Sequence, residues 1–180
     1  MLVLGDSLSA AYGIPIEAGW VTLLRKRLGE GDAAARREVV NASVSGETTS
    51  GGLTRLPALL ERYKPGVVAV ELGANDGLRG LPLADIRKNV AELVKLSQAA
   101  GAKVVLVGIE LPINYGPQYR DGLRAMYRDV AKEFNVPLVP FLLEGVALDP
   151  ALMQDDGLHP KEAAQAKVLE TVWAVLKGVL

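Results

Sequence analysis

Two short segments far apart in the chain carry side chains suited to covalent acyl transfer: Gly5-Asp6-Ser7-Leu8 and Asp156-Gly157-Leu158-His159-Pro160. A serine hydroxyl near its free pKa is a weak nucleophile. It needs an imidazole within hydrogen-bond reach and a carboxylate that fixes the imidazole's tautomer. His159 is the single histidine of the sequence, so a base of that kind can only be this residue. Asp156 lies three positions earlier, where one turn can bring its carboxylate to Nδ1 and leave Nε2 facing a hydroxyl. Asp155 is a rival with poorer spacing. Ser9, Ser43, Ser45, Ser50 and Ser97 compete for the role of nucleophile, but only Ser7 combines a strand-end position with an expected following helix. The bland alternatives are that Ser7 is a helix N-cap, that Asp156 is a turn or capping residue, and that His159 is a surface histidine beside a helix N-terminus.

Acyl transfer also needs donors aimed at the oxygen that becomes negative, and losing one such donor typically costs about 10² to 10³ in rate. Gly46 and Asn75 are the candidates. Glycine lets a backbone amide approach closely, and asparagine supplies a neutral N–H donor that does not titrate. The ordinary alternatives are a turn glycine at Gly46 and a turn over Asn75-Asp76-Gly77.

These residues need a frame that gathers them. Apolar runs at residues 2–4, 38–42, 67–72, 104–109 and 138–141 alternate with longer amphipathic segments, which predicts a five-stranded parallel sheet with helices on both faces. Trp20, Leu23, Leu24 and Leu28 keep helical spacing, as do Ile86, Val90, Leu93 and Val94, and Val168, Val172 and Leu176. Two further helices are expected around residues 53–63 and 119–134. Pro65-Gly66, Gly101 and Pro137 punctuate the series ahead of the third, fourth and fifth strands. Each chemically suggestive segment then follows a different strand: Gly5-Asp6-Ser7 the first, Ser45-Gly46-Glu47-Thr48 the second, Gly73-Ala74-Asn75-Asp76 the third, and Asp156 to His159 the fifth. In a parallel sheet those ends share one edge, so the four segments are expected to converge in a single cleft.

The 180 residues suit one domain, 1–180, and a net charge of −1 with interleaved signs, as in Arg25-Lys26-Arg27 followed by Glu30 and Asp32, offers no basic stripe to a nucleic acid. No apolar stretch reaches the roughly 18 residues of a membrane span. Cysteine is absent, which removes disulfides and thiolate chemistry. One histidine and no cysteine leave the usual zinc ligand sets unfilled. There is no Gly-x-Gly-x-x-Gly or Walker lysine loop for a flavodoxin-like nucleotide or flavin binder, and no Gly-x-Ser-x-Gly elbow for an α/β-hydrolase. Met1 abuts the first predicted strand, which leads us to expect a mature form with its leader removed.

With these residues assembled, the chain resembles the SGNH hydrolases, also called the GDSL esterase/lipase family, from Gly5 to Pro160. Within the family it is similar to the bacterial multifunctional thioesterase I, lysophospholipase L1 and arylesterase group. The supports are Gly5-Asp6-Ser7-Leu8-Ser9-Ala10, residues 40–48 (VNASVSGET), residues 71–80 (ELGANDGLRG) and residues 153–160 (MQDDGLHP). The resemblance implies a three-layer α/β/α, flavodoxin-like fold. It implies a Ser7-His159-Asp156 triad and an oxyanion hole made by the Ser7 amide, the Gly46 amide and the Asn75 side chain. It also implies hydrolysis of acyl esters and thioesters without metal or cofactor, in a protein exported to the periplasm or secreted. Ala74 stands where many relatives carry glycine, and Val44 and Glu47 are conservative variants; these bear on tuning rather than mechanism.

For the acyl chain we expect an apolar groove formed by Leu78 and by Leu111, Pro112, Ile113 and Tyr115, on the same sheet edge as the triad. The alternative is that Leu111 and Ile113 only cover the core. Substrate classes left open are acyl thioesters, lysophospholipids, aryl esters and carbohydrate acetyl groups. An aromatic content of 5% offers no evident sugar-stacking platform, so lipid-like acyl esters lead. The expected partner is a small-molecule acyl ester or thioester, and the expected state is a monomer.

Overall fold

A computed structural model describes residues 1–29 and 38–180; Glu30 and Asp32 lie outside the described residues. Five strands, β1 (Leu2–Gly5), β2 (Val40–Asn41), β3 (Val67–Glu71), β4 (Lys103–Val107) and β5 (Leu138–Val139), pair in parallel in the order β2-β1-β3-β4-β5. The helices are α1 (Trp20–Gly29), α2 (Thr49–Tyr63), α3 (Ala74–Leu78), α4 (Leu83–Ala99), α5 (Pro117–Glu133) and α6 (Gln165–Leu176).

β1 and β3 are buried at every residue, as a central parallel strand covered on both faces must be. The alternation of the pleat sorts their side chains. Leu2, Leu4, Val68 and Val70 face a core shared with Leu56, Ile86, Leu93 and Leu123 from α2, α4 and α5. Val3, Val67 and Ala69 face the other core, with Trp20, Leu24, Val168 and Val172 from α1 and α6. Three layers result.

The chain leaves β1 for β2 on one side and returns to β3 on the other, so the switch point of the sheet lies between β1 and β3, where ligand crevices form in such folds. Their carboxyl ends carry the Ser7 and Asn75 segments. β2 pairs formally over two residues, yet the Ala42 and Val44 amides still donate to the Val3 and Gly5 carbonyls at 2.9 and 3.0 Å. That continued pairing delivers Ser45 and Gly46 to the same crevice.

The structure departs from expectation in several local places. No helix follows Ser7 directly. Turns run from Ser7 to Gly13, and α1 begins only at Trp20. Ala11 and Gly13 adopt φ of 60° and 74°, which breaks a right-handed helix. Pro160 forms an antiparallel bridge with Met153, and a 3₁₀ turn over Glu162–Ala164 precedes α6. Residues 75–77 belong to a short helix, α3, rather than to a turn. Among the described residues, no helix is long and apolar enough to cross a membrane.

Candidate active site

The exit from β1 is shaped by Gly5. A Cβ at this position would lie 2.6 Å from Glu71 Oε2 and 2.8 Å from Ser9 Cβ, closer than packed atoms allow, so the strand end accommodates only glycine. Asp6 then folds back on the chain: its Oδ1 accepts the Leu8 amide at 3.0 Å, and its carbonyl accepts the Ala10 amide at 2.9 Å. This local turn projects Ser7 into the crevice.

At the far end of the chain, a loop closed by the Met153–Pro160 bridge and by the Gln154 amide donating to the His159 carbonyl at 2.8 Å holds the imidazole. Asp156 organises it from within. Oδ1 accepts the Leu158 and His159 amides at 2.9 and 3.0 Å, which leaves Oδ2 facing His159 Nδ1 at 2.6 Å. Partial burial by itself raises the Asp156 carboxyl, but the hydrogen bonds from the His159 ring and the two amides outweigh it and bring the group down to about 2. A carboxylate so acidic accepts only. Nδ1 therefore carries the proton, and Nε2 presents its lone pair to Ser7 Oγ, 2.8 Å away. Gln154 ties this loop to the Ser7 turn, its Nε2 donating to the Tyr12 carbonyl at 2.9 Å.

Gly46 has φ of 80°, and open space surrounds the position a Cβ would take; the demand for glycine there is conformational, not steric. Among the described residues, the amides of Ser7 and Gly46 donate to no other group. Asn75 differs. Its Nδ2 already donates to the Glu47 carbonyl at 2.9 Å and to Asp6 Oδ2 at 3.2 Å.

Ser7, Gly46, Asn75 and His159 line one cleft of about 320 Å³ whose other walls include Leu78, Leu111, Pro112, Leu143 and Leu158. Asp156 stands behind His159, outside the lining. Of the residues expected to form an acyl groove, Leu78, Leu111 and Pro112 line the cleft, whereas Ile113 and Tyr115 do not. Ile113 is 81% exposed, and the Tyr115 hydroxyl is spent on the Leu78 carbonyl at 2.8 Å, bracing that wall from outside. A larger open groove of about 720 Å³, lined by Lys103, Val136 and Val179 at the opposite end of the sheet, contains no nucleophile and base together.

Tyr12 and Glu71 were not singled out by sequence reasoning. The Tyr12 ring packs on His159, with centroids 4.5 Å apart. Glu71 is fully buried beneath the Ser7 turn, where its Oε2 accepts the Ser9 hydroxyl at 2.7 Å and the Asp6 amide at 3.2 Å. A charged residue ending the apolar run of β3 was the available signal. Burial pushes the Glu71 carboxyl well up, reinforced by Asp6, and burial lifts Asp6 to about 6 against the Leu8 amide and the His159 charge. Among the described residues, no cluster of side chains could hold a metal ion.

Residues 3–167 match the GDSL-like lipase/acylhydrolase family, and the chain belongs to it. It is 51% identical to the esterase TesA of Pseudomonas aeruginosa over 180 residues, covering 100% of this chain and 89% of that protein. It is 46% identical to the thioesterase 1/protease 1/lysophospholipase L1 of Escherichia coli K12 over 165 residues, covering 92% of this chain and 77% of the relative. A crystal structure of TesA superimposes with a TM-score of 0.94 at 51% identity, covering 99% of this chain and 98% of that one.

Proposed function

We propose that this protein is a single-domain serine hydrolase of carboxylic esters and thioesters of acyl chains. The observation that carries the reading is the unbroken relay from Ser7 Oγ through His159 to Asp156, with bonds of 2.8 and 2.6 Å, at the floor of a cleft with apolar walls.

In the mechanism, His159 Nε2 takes the Ser7 proton as Oγ bonds to the acyl carbon, and the carbonyl π pair moves to oxygen. The oxyanion rests on the Ser7 and Gly46 amides, whose N–H groups are uncommitted, and on Asn75 Nδ2, which swings from its longer bond with Asp6. The intermediate collapses with cleavage of the C–O or C–S bond, and His159 gives its proton to the departing alcohol or thiol. Water repeats the sequence on the acyl-serine, and the acid leaves. Asp156 keeps the Nδ1 proton in place and offsets the imidazolium charge throughout. The apolar walls favour an acyl chain over a sugar. Family resemblance alone supports a periplasmic location.

The test is turnover of p-nitrophenyl esters of increasing chain length, combined with fluorophosphonate labelling and mass mapping. Ser7→Ala should lose roughly 10⁴- to 10⁶-fold in kcat/KM, by analogy with triads that act as a unit, and the label should map to Ser7. A folded protein that neither turns over nor takes the label would refute the assignment.

A further inference from the structure

Below the nucleophile turn lie two carboxyl groups that the mechanism does not use. Asp6 is 1% exposed and Glu71 is fully buried, and the two adjoin, with the Asp6 amide donating to Glu71 Oε2 at 3.2 Å. Gly5 pairs with Glu71 across β1 and β3, which sets the Glu71 side chain directly under the turn. Among the described residues, no lysine or arginine forms an ion pair with either group. Two adjoining buried carboxylates without a cation cannot both be ionised, so one of them keeps a proton.

The hydrogen bonds decide which. Asp6 has a donor on each oxygen, the Leu8 amide on Oδ1 and Asn75 Nδ2 on Oδ2, so its carboxylate form is served on both sides. Glu71 concentrates its two donors on Oε2 and leaves Oε1 buried with no partner for a carboxylate oxygen. A buried carboxylate oxygen that receives no donor is costly as an anion, and protonation removes that charge. Of the other groups facing the pair, His159 favours ionised Asp6 and buried Asp76 on α3 opposes it, while the Tyr127 phenol on α5 gives its hydrogen bond to the Leu72 carbonyl rather than to either carboxyl group.

We infer that Glu71 is a positioning residue that works as a neutral acid: it keeps its proton beside the Asp6 carboxylate, holds the Asp6 amide through Oε2, and through Asp6 sets where Asn75 Nδ2 points. The chain of contacts is Ser9–Glu71–Asp6–Asn75, and it couples a buried proton to a side chain of the proposed oxyanion hole. The last link rests on the function proposed above; the protonation state of Glu71 does not.

The decisive measurement uses the intact wild-type protein with glutamate ¹³C-labelled at the side-chain carboxyl, observed by NMR at neutral pH. Glu71 is the one fully buried glutamate among the described residues, so a single protonated carboxyl signal, absent in Glu71→Gln, is expected. Every glutamate appearing as carboxylate at neutral pH would overturn the inference, whatever the activity and whether or not the variant folds. In kinetics, Glu71→Ala should lower kcat about tenfold, on the scale of one hydrogen bond within a buried network, with little change in KM. Glu71→Gln, whose amide N–H replaces the acid O–H, should recover most of that loss and flatten the alkaline limb of the kcat profile. Folded Gln and Ala variants equally impaired would overturn the positioning role. Absence of turnover in wild type with a protonated Glu71 would instead refute the hydrolase reading and leave the acid in place.

Discussion

The Tyr12 ring lies against the imidazole of His159, centroids 4.5 Å apart and planes inclined by 41°, although the tyrosine is half exposed. The contact clamps the ring that accepts the Ser7 proton in the proposed mechanism and covers part of it from water. Aromatic pairs of this kind contribute about 0.5–1.5 kcal/mol. Tyr12→Ala should therefore lower kcat/KM by about two- to tenfold, and Tyr12→Phe should restore it, since the hydroxyl takes no part in the contact. Steady-state kinetics on one ester decides the matter.

The acidity of Asp156 has a consequence for stability. Its folded value of about 2 lies below the ordinary carboxylate near 3.9. A group depressed on folding adds stability that is fully present above the unfolded value and is lost as pH falls through the folded one. The wild type should exceed Asp156→Asn in denaturant midpoint near neutrality, with the gap closing between about pH 4 and pH 2. Because Asp156 is 39% exposed, solvent screening keeps the gap modest. A gap that is constant with pH would contradict the linkage.

Gly5→Ala tests the close approach of β1 to β3. Its methyl would meet Glu71 Oε2 at 2.6 Å and Ser9 Oγ at 2.9 Å, and both neighbours are buried. Overpacking of this kind costs about 1–3 kcal/mol, read from urea denaturation. Activity should fall alongside, because the displaced groups support the Ser7 turn.

Leu78 and Ile113 should behave oppositely as determinants of acyl length. Each buried methylene is worth about 0.8 kcal/mol, or about fourfold in kcat/KM per added carbon while the chain stays in the cleft. Leu78→Ala should shift the chain-length optimum. Ile113→Ala should leave it in place, because that side chain faces solvent. A shift on substituting Ile113 would show that the 3₁₀ turn over Ile113–Tyr115 folds onto the substrate.

Much of this architecture is legible in the amino-acid order, for definite reasons. β1, β3 and β4 are continuous apolar runs because both faces of the sheet are covered. His159 has no rival, and its spacing from Asp156 suits one turn of loop. Less legible were features that depend on partners distant in sequence. β2 and β5 pair over two residues each because they lie at the sheet edges. The five-residue α3 is too short for helical periodicity to register, and its composition of Asn, Asp and Gly mimics a turn. The twist at Ala11 defeats the expectation of a helix after Ser7, since a positive φ at alanine is rarely written in residue type. Tyr12 and Glu71 acquire meaning only from what the fold sets against them.

The Ser7–His159 contact joins residues separated by 152 positions, while Asp156 and His159 lie together on one loop. During synthesis Ser7 leaves the ribosome long before the base that would activate it, and the sheet must close before they meet. On the proposed mechanism, a chain in which the Ser7–His159 contact has not formed lacks the base for its nucleophile. On the same mechanism, covalent capture of Ser7 by a fluorophosphonate would report closure of the native topology around it.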